Sequence, residues 1–152
     1  KDWQQECCAA YLQMVSRLRT AGEMAKQEGI TIGIRTGMGA KFDKNLLKKV
    51  GSRQIKVYYN FQDAADHHRD ICKELRKLGA QRIVQIHVSN TDSVNLQEDP
   101  EINLPKIRKT LDKMKWSGWL VVERSRDVKR VRDVKYNFGR NIAYLKQVFQ
   151  ER

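Results

Sequence analysis

The stretch QIKVYYNFQDAADHHRDICKELRKLGAQRIVQIHV (residues 54–88) decides the fold class. The apolar runs at its two ends, 54–60 and 82–88, each have the length and composition of a buried strand. Between them, apolar residues recur at helical spacing from about 63 to 78, and Gly79 follows as a helix C-cap. A strand, a helix and a second strand in this order predict a parallel βαβ unit with a right-handed crossover.

The same alternation continues on both sides of this unit. The elements predicted on the amino-terminal side are a helix, a strand and a short helix, at 2–28, 30–36 and 43–50. Those predicted on the carboxyl-terminal side are a helix, a strand and a final helix, at 105–114, 119–124 and 134–149. Asp43 is a candidate N-cap for the short helix. The chain therefore has the pattern α-(βα)4, and we expect a single half-barrel domain over 1–152.

Two α/β architectures fit this pattern, an open doubly wound sheet and half of a (β/α)8 TIM barrel. Four strands cannot close a barrel, so a half barrel leaves two sheet edges and its interior uncovered. We therefore expect completion by a second copy, in a homodimer with two-fold symmetry. In that dimer the fourth strand of one copy adjoins the first strand of the other, which predicts that Arg35 lies beside Glu123 of the second copy.

The chain is strongly basic, with 30 Lys and Arg against 18 Asp and Glu and a net charge of +12. Such a charge permits attraction to nucleic acid, but no recognition motif accompanies it. Basic residues are spread over every segment, and only RSRDVKRVRDVK (124–135) is dense. We therefore expect that nucleic acid is not the partner. No run approaches the ~18 apolar residues of a membrane span, which predicts no membrane partner.

The cysteines and histidines form no strong motif. Cys7 and Cys8 are adjacent and Cys72 is distant, without a CxxC pair or a recognisable leader, so we expect reduced thiols and a cytoplasmic location. His68 and Cys72 share a helix face and could ligate a soft metal, but no further ligands are suitably spaced, which favours ordinary packing. The glycine-rich turn TGMGAKF (36–42) lacks the spacing of a nucleotide-binding loop.

A polar residue lies at or near the end of each predicted strand. These residues are Arg35, Asn60, His87 and Glu123. Because functional side chains of parallel α/β folds gather at the carboxyl ends of the strands, we expect them on one rim. The alternative is that polar residues only mark the points where the strands leave the core.

Three segments that contain these strand ends carry a family resemblance. VYYNFQDAAD (57–66), IVQIHVSNTD (83–92) and WSGWLVVERSRD (116–127) resemble successive strand ends of the sugar-phosphate isomerase/epimerase family. These are xylose-isomerase-like barrels, and they include hydroxypyruvate isomerase and ketose 3-epimerases. The resemblance runs from about residue 10 to 149 but covers only the last four strands and helices of such a barrel, with the preceding helix. It implies half of a TIM barrel.

The resemblance also implies a metal site, which this chain retains only in part. The family binds a divalent metal through Glu, Asp, His and Glu, and its two glutamates act as acid and base. The last two positions match His87 and Glu123, so the resemblance implies both as metal ligands and Glu123 as catalytic. Arg35 and Asn60 replace the other two ligands. A hard cation requires anionic oxygens and is repelled by arginine, so we expect no cofactor unless the chain is an active Mn²⁺ or Mg²⁺ isomerase.

Three functions remain open on these grounds. The first is a self-associating half-barrel scaffold, engineered or degenerate, without metal-dependent catalysis. The second is a sugar or sugar-phosphate isomerase/epimerase. The third is a basic nucleic-acid-binding protein, on a looser likeness to metal-dependent apurinic endonucleases. Loops after the last strands of TIM barrels often bind phosphate, so Arg124, Ser125 and Arg126 are candidate ligands of a sugar phosphate or sulfate.

Overall fold

The computed structural model describes residues 2–89 and 93–150, with side chains from residue 8 onward. Within these residues strands and helices alternate after a long first helix. Short 3₁₀ turns lie at Ala80–Arg82, Leu96–Glu98 and Val128–Arg130. The main elements are α1 (Asp2–Gln27), β1 (Ile32–Ile34), α2 (Ala40–Val50), β2 (Ile55–Asn60), α3 (Phe61–Ala65), α4 (Ile71–Leu78), β3 (Ile83–Val88), α5 (Leu104–Lys113), β4 (Trp119–Val122) and α6 (Val134–Phe149).

The four strands form one parallel sheet in the sequential order β1-β2-β3-β4. A doubly wound sheet reverses its strand order at a switch point, whereas a barrel adds each strand beside the last. The helices pack in the same sequence, α1 on α2, α2 on α4, α4 on α5 and α5 on α6. The fold is therefore α/β with the strand order of half a TIM barrel, and the doubly wound alternative does not apply to the described sheet.

The alternating side chains of β2 separate a covered face from an open face of the sheet. Lys56 and Tyr58 are partly exposed on the open face. The buried apolar residues of β2 are Ile55, Val57 and Tyr59. They join one hydrophobic core with residues of α2, α4 and α5. The open face corresponds to the interior of a barrel.

A β-bulge in β3 shifts this alternation by one residue. Val57 pairs with Ile83, but the next residue, Tyr58, pairs with Gln85, so Val84 is the extra residue. Because of the bulge, Ile83 and Ile86 are both buried in the core although three positions separate them. Gln85 and His87 are only partly buried.

The edge strands are much less covered than the central ones. No residue of β1 or β4 is buried, whereas β2 has four buried residues and β3 has three. Trp119, at the start of β4, is 78% exposed. Edge strands with this exposure are open to pairing with another chain.

Asp43 is not the N-cap of the second helix, which corrects the prediction from sequence. The helix begins three residues earlier, after Gly39, whose φ of 88° suits glycine. Asp43 therefore lies inside the helix and is only 4% exposed. Its carboxylate accepts a hydrogen bond of 2.5 Å from Thr36 Oγ1 instead of capping the helix.

The single helix expected from about 63 to 78 is in fact two helices. α3 ends at Ala65 and α4 begins at Ile71. Asp70 is the N-cap of α4, and its side chain accepts from Lys73 N at 2.9 Å. Between the two helices His68 adopts a positive φ of 50°. The capping carboxylate stabilises a new helix start, which the apolar spacing did not reveal.

No helix among the described residues combines the length and apolar character needed to cross a membrane.

Candidate functional site

Three of the four polar strand-end residues meet at one rim of the sheet. Asn60 ends β2 opposite His87 of β3, and Glu123 follows β4 directly. Asn60 Nδ2 donates to Glu123 Oε2 at 3.0 Å, and His87 Nδ1 lies 3.4 Å from the same oxygen. The structure thus brings these three side chains together, and the roles assigned to them by resemblance stay predictions.

The orientation of the Asn60 amide is fixed by its other hydrogen bonds. Asn60 is 2% exposed, and its Oδ1 accepts from Gln62 N at 2.8 Å and from Ser89 Oγ at 2.9 Å. A backbone N–H can only donate, so the atom facing Gln62 is the amide oxygen. The amide nitrogen is consequently the atom that faces Glu123.

His87 lies between the rim and the open face of the sheet. Gln85 Nε2 lies 2.8 Å from His87 Nε2, and His87 Nδ1 is the ring atom that faces Glu123. The Tyr58 ring stacks on the imidazole with 4.3 Å between ring centroids. His87 and Glu123 therefore form one hydrogen-bonded acid–base pair.

Arg35 is bound to a carboxylate of its own chain. Its Nε and Nη2 donate to the two oxygens of Asp63 at 2.8 and 2.5 Å, which is a bidentate pair. These hydrogen bonds raise the pKa of Arg35 above its usual range, so the residue stays cationic. The sequence placed Arg35 beside Glu123 of a second copy, and it did not identify Asp63 as a partner.

The residues at the rim do not fit a divalent cation. Across residues 2–89 and 93–150, no group of three or more His, Cys, Asp or Glu side chains is placed to hold a metal ion. His87 and Glu123 supply one nitrogen and one carboxylate. Asn60 turns its amide nitrogen towards them, and Arg35 contributes a positive charge. Hard divalent cations require several oxygen ligands, and this set lacks them.

A partly buried polar network supports the rim from the helix side. Tyr59 Oη donates to Glu74 Oε2 at 3.5 Å, and Arg69 Nε lies 3.4 Å from the same oxygen. Arg69 Nη2 also donates to the carbonyls of Asp63 and Gly37. Burial raises the pKa of Tyr59 above its usual range. The network holds the β1–α2 turn against α3 and α4, and so fixes the position of the Arg35–Asp63 pair.

Asp43 makes the stability of this region dependent on pH. Burial raises the pKa of the Asp43 carboxyl in the folded chain, although the Thr36 hydrogen bond opposes the shift. A raised folded pKa gives stability that is complete below the unfolded pKa and is lost as pH rises through the folded value. We therefore expect Asp43→Asn to melt at a higher temperature than the parent at pH 7, and at nearly the same temperature near pH 4.

The measurement is thermal unfolding of both proteins across this pH range. Asp66→Asn, at an exposed position, is the matched control and should show no such pH-dependent difference. A lower melting temperature for Asp43→Asn at pH 7 would contradict the prediction, because the Thr36 hydrogen bond would then outweigh the burial of the charge.

The predicted phosphate ligands lie in the loop after β4. Arg124 is exposed, Arg126 is partly exposed and Ser125 is 1% exposed with a positive φ of 142°. The carbonyl of Ser125 accepts from Asn141 Nδ2 at 2.6 Å and from Asn95 Nδ2 at 3.3 Å. All three predicted ligands take part in other interactions within the chain. Their binding of phosphate stays a prediction.

The side chains that hold this loop were missed by the sequence analysis. Asn137 is 0% exposed, and its Oδ1 accepts from Asn95 Nδ2 and from Asp127 N, both at 2.9 Å. Its Nδ2 donates to the carbonyls of Arg130 and Asp133. The available signal was the pair of asparagines four residues apart, Asn137 and Asn141, on the face of α6 that also carries Leu145.

The other constellations considered from sequence do not assemble into a site. Cys72 is buried at 3% exposure in the hydrophobic core, which agrees with packing, and His67 and His68 are exposed. Cys8 is exposed on α1. The side chain of Cys7 lies outside the described residues, as does Asn90, which follows β3.

The chain belongs to the xylose isomerase-like TIM barrel family, whose sequence model matches residues 1–148. No curated protein sequence matches it significantly. The family and the fold thus confirm the resemblance found from sequence.

Solved structures with the same fold are longer than this chain, which covers little more than half of each. A D-psicose 3-epimerase crystallised with D-fructose is 14% identical, with a TM-score of 0.76 over 91% of this chain and 56% of its own. A 3-keto-D-glucoside 4-epimerase from E. coli is 12% identical, with a TM-score of 0.75 over 90% and 53%. An AP endonuclease of family 2 from Brucella melitensis is 16% identical, with a TM-score of 0.67 over 86% and 54%. The chain therefore spans about half the length of these barrels.

Proposed function

We propose that this chain is a half-barrel scaffold that associates with a second copy of itself and has no metal-dependent catalysis. The observation that carries the proposal is the difference between the central and edge strands. β2 and β3 are covered on one face and paired on both sides, whereas no residue of β1 or β4 is buried. Pairing β4 of one copy with β1 of the other would satisfy both edges and surround the open face.

The rim chemistry supports the second half of this proposal. Proton transfer beside a carbonyl uses a positioned acid and base, and among the described residues His87 and Glu123 are the pair at the rim that could serve. At the β1 side both oxygens of the Asp63 carboxylate accept hydrogen bonds from Arg35, so this carboxylate is already paired. A degenerate or redesigned origin agrees with this replacement of a ligand by a cation.

Free thiols at Cys8 and Cys72 further support a cytoplasmic location.

The self-association is tested by light scattering after size-exclusion chromatography over a range of protein concentrations. We expect a mass twice that of the 17.8-kDa chain. Trp119→Glu places a charge on the exposed residue of the β4 edge, and we expect it to shift the protein to the monomer. Asn45→Glu makes the same change of charge on the exposed side of α2 and should leave the dimer intact.

A parent protein that stays monomeric at all concentrations would contradict the scaffold proposal. Equal loss of the dimer in Trp119→Glu and Asn45→Glu would place the interface away from the strand edges. Thermal unfolding of both variants checks that each remains folded.

An isomerase or epimerase of sugars is the second candidate. It is favoured by the His87–Glu123 pair and by the fold shared with two sugar epimerases. Interconversion of ketoses that requires added Mn²⁺ or Mg²⁺, and that is lost in His87→Ala, would support it against the scaffold proposal.

A further inference from the structure

The end of the sheet opposite the rim carries two adjoining hollows, which together we call the basic groove. The first, of about 590 Å³, lies between the carboxyl-terminal part of α1 and the α2–β2 loop. The second, of about 780 Å³, lies between α2, the start of β2 and the segment before β3. Ser52 and Arg53 line both hollows, so the two lie side by side.

The basic groove has a large excess of positive charge. Glu23 is its one acidic lining residue among those described. Six of the basic lining residues have no carboxylate within 4.0 Å in the described part of the chain. They are Lys26, Lys44, Lys48, Lys49, Arg53 and Lys56.

Helix capping does not account for this charge. The carboxyl ends of α1, α2 and α4 lie at this end of the sheet, and each is worth only about half a negative charge. Two other arginines already satisfy carbonyls there, since Arg19 donates to Lys49 O and Val50 O and Arg82 donates to Leu78 O. Six further cations exceed what three helix ends can neutralise. The groove therefore offers an excess of positive charge that an external anion could neutralise.

The shape and lining of the groove favour a nucleic acid over a membrane. None of the exposed large hydrophobic residues described lines either hollow, so nothing there would insert into a bilayer. The surface is concave, whereas a membrane is flat. Polar side chains such as Asn45, Gln54 and Gln81 lie among the cations and suit phosphate oxygens. The described lining contains no aromatic ring on which a base could stack.

We propose that the basic groove binds the phosphodiester backbone of a nucleic acid without sequence preference. The groove lies at the amino ends of the strands, on the opposite side of the sheet from Asn60, His87 and Glu123. None of its described lining residues belongs to β1 or β4, the edge strands through which two copies would pair. This partner differs from the expectation drawn from the sequence, which singled out only residues 124–135 as dense in charge. Five of the six cations lie within 44–56, and folding places Lys26 of α1 beside them.

The test is fluorescence polarisation of a short labelled DNA duplex at several salt concentrations. We expect binding that weakens steeply between about 50 and 200 mM salt, as release of counterions requires. In Lys48→Glu/Arg53→Glu we expect affinity to fall about tenfold or more and the salt dependence to become shallower. Lys48→Gln/Arg53→Gln, a milder change, should show a smaller loss in the same direction.

The matched control is Lys129→Glu/Lys135→Glu, which makes the same change in net charge within the dense 124–135 segment. We expect it to keep affinity within about threefold of the parent. An equal loss in the control would overturn the proposal, since the binding would then follow total charge or the 124–135 segment. Binding to phosphatidylserine–phosphatidylcholine vesicles without binding to the duplex would also overturn it. Far-UV circular dichroism verifies that each variant is folded.

Discussion

The double variant Arg35→Glu/Asn60→Asp is expected to bind Mn²⁺ at least about tenfold more tightly than the parent chain. The parent rim offers His87 and Glu123 as donors, with an amide nitrogen and a guanidinium beside them. The substitutions remove the cation and add two carboxylates, which are the ligands that the family resemblance implies. Electron paramagnetic resonance of free and bound Mn²⁺ measures the affinity directly.

Thermal unfolding gives a second reading of the same prediction. Without metal, the new carboxylates repel Glu123 and leave Asp63 without its arginine partner, so the variant should melt below the parent. Added Mn²⁺ should raise its melting temperature by mass action and leave that of the parent unchanged. Adding His87→Ala should abolish the gain. Lys129→Glu/Asn45→Asp carries the same change in charge elsewhere, and a similar Mn²⁺ affinity there would refute the assignment of the rim.

Asn137→Ala is expected to lower the free energy of unfolding by about 3–5 kcal/mol. The Asn137 amide makes four hydrogen bonds and is fully buried, so its removal leaves buried donors and acceptors unpaired. These bonds join the loop after β4 to α6 and to Asn95. Urea unfolding measures the change in free energy. We expect the loop after β4 to detach from α6 in the variant.

The control for Asn137→Ala is the same replacement at Asn45, which is exposed on α2. We expect Asn45→Ala to alter the free energy of unfolding by no more than about 0.5 kcal/mol. A loss below about 1 kcal/mol in Asn137→Ala would mean that water replaces the amide at all four partners. The asparagine cluster would then not be what holds the loop.

The fold could be predicted because each element has a local signature. The apolar spacing of α6 predicted its bounds, Val134–Phe149, and the apolar run at 54–60 predicted the strand β2. The break between α3 and α4 was missed because the apolar residues keep helical spacing through it. There the hydrogen bond of the Asp70 cap decides the structure, and an aspartate within a polar run gives little warning of it.

The position of the site could be predicted from the sequence, but the contacts between its side chains could not. Strand ends identified Arg35, Asn60, His87 and Glu123, because parallel strands bring their carboxyl ends to one edge. The partner of Arg35 is Asp63 on α3, and no pattern in the sequence pairs the residue after β1 with a residue of α3. The basic groove had a signal in the sequence, since 44–56 contains five basic residues and no acidic one, but only 124–135 was recognised as dense. The addition of Lys26 from α1 depends on the fold.

The Arg35–Asp63 pair has a consequence for how this protein would respond to its surroundings. A guanidinium attached to the chain cannot dissociate, be exchanged for another ion or be withdrawn by a chelator. Its charge is also constant, since Asp63 holds the pKa of Arg35 above the range in which it could lose a proton. The β1 side of the rim therefore keeps the same electrostatic character whatever the supply of trace elements in the cell.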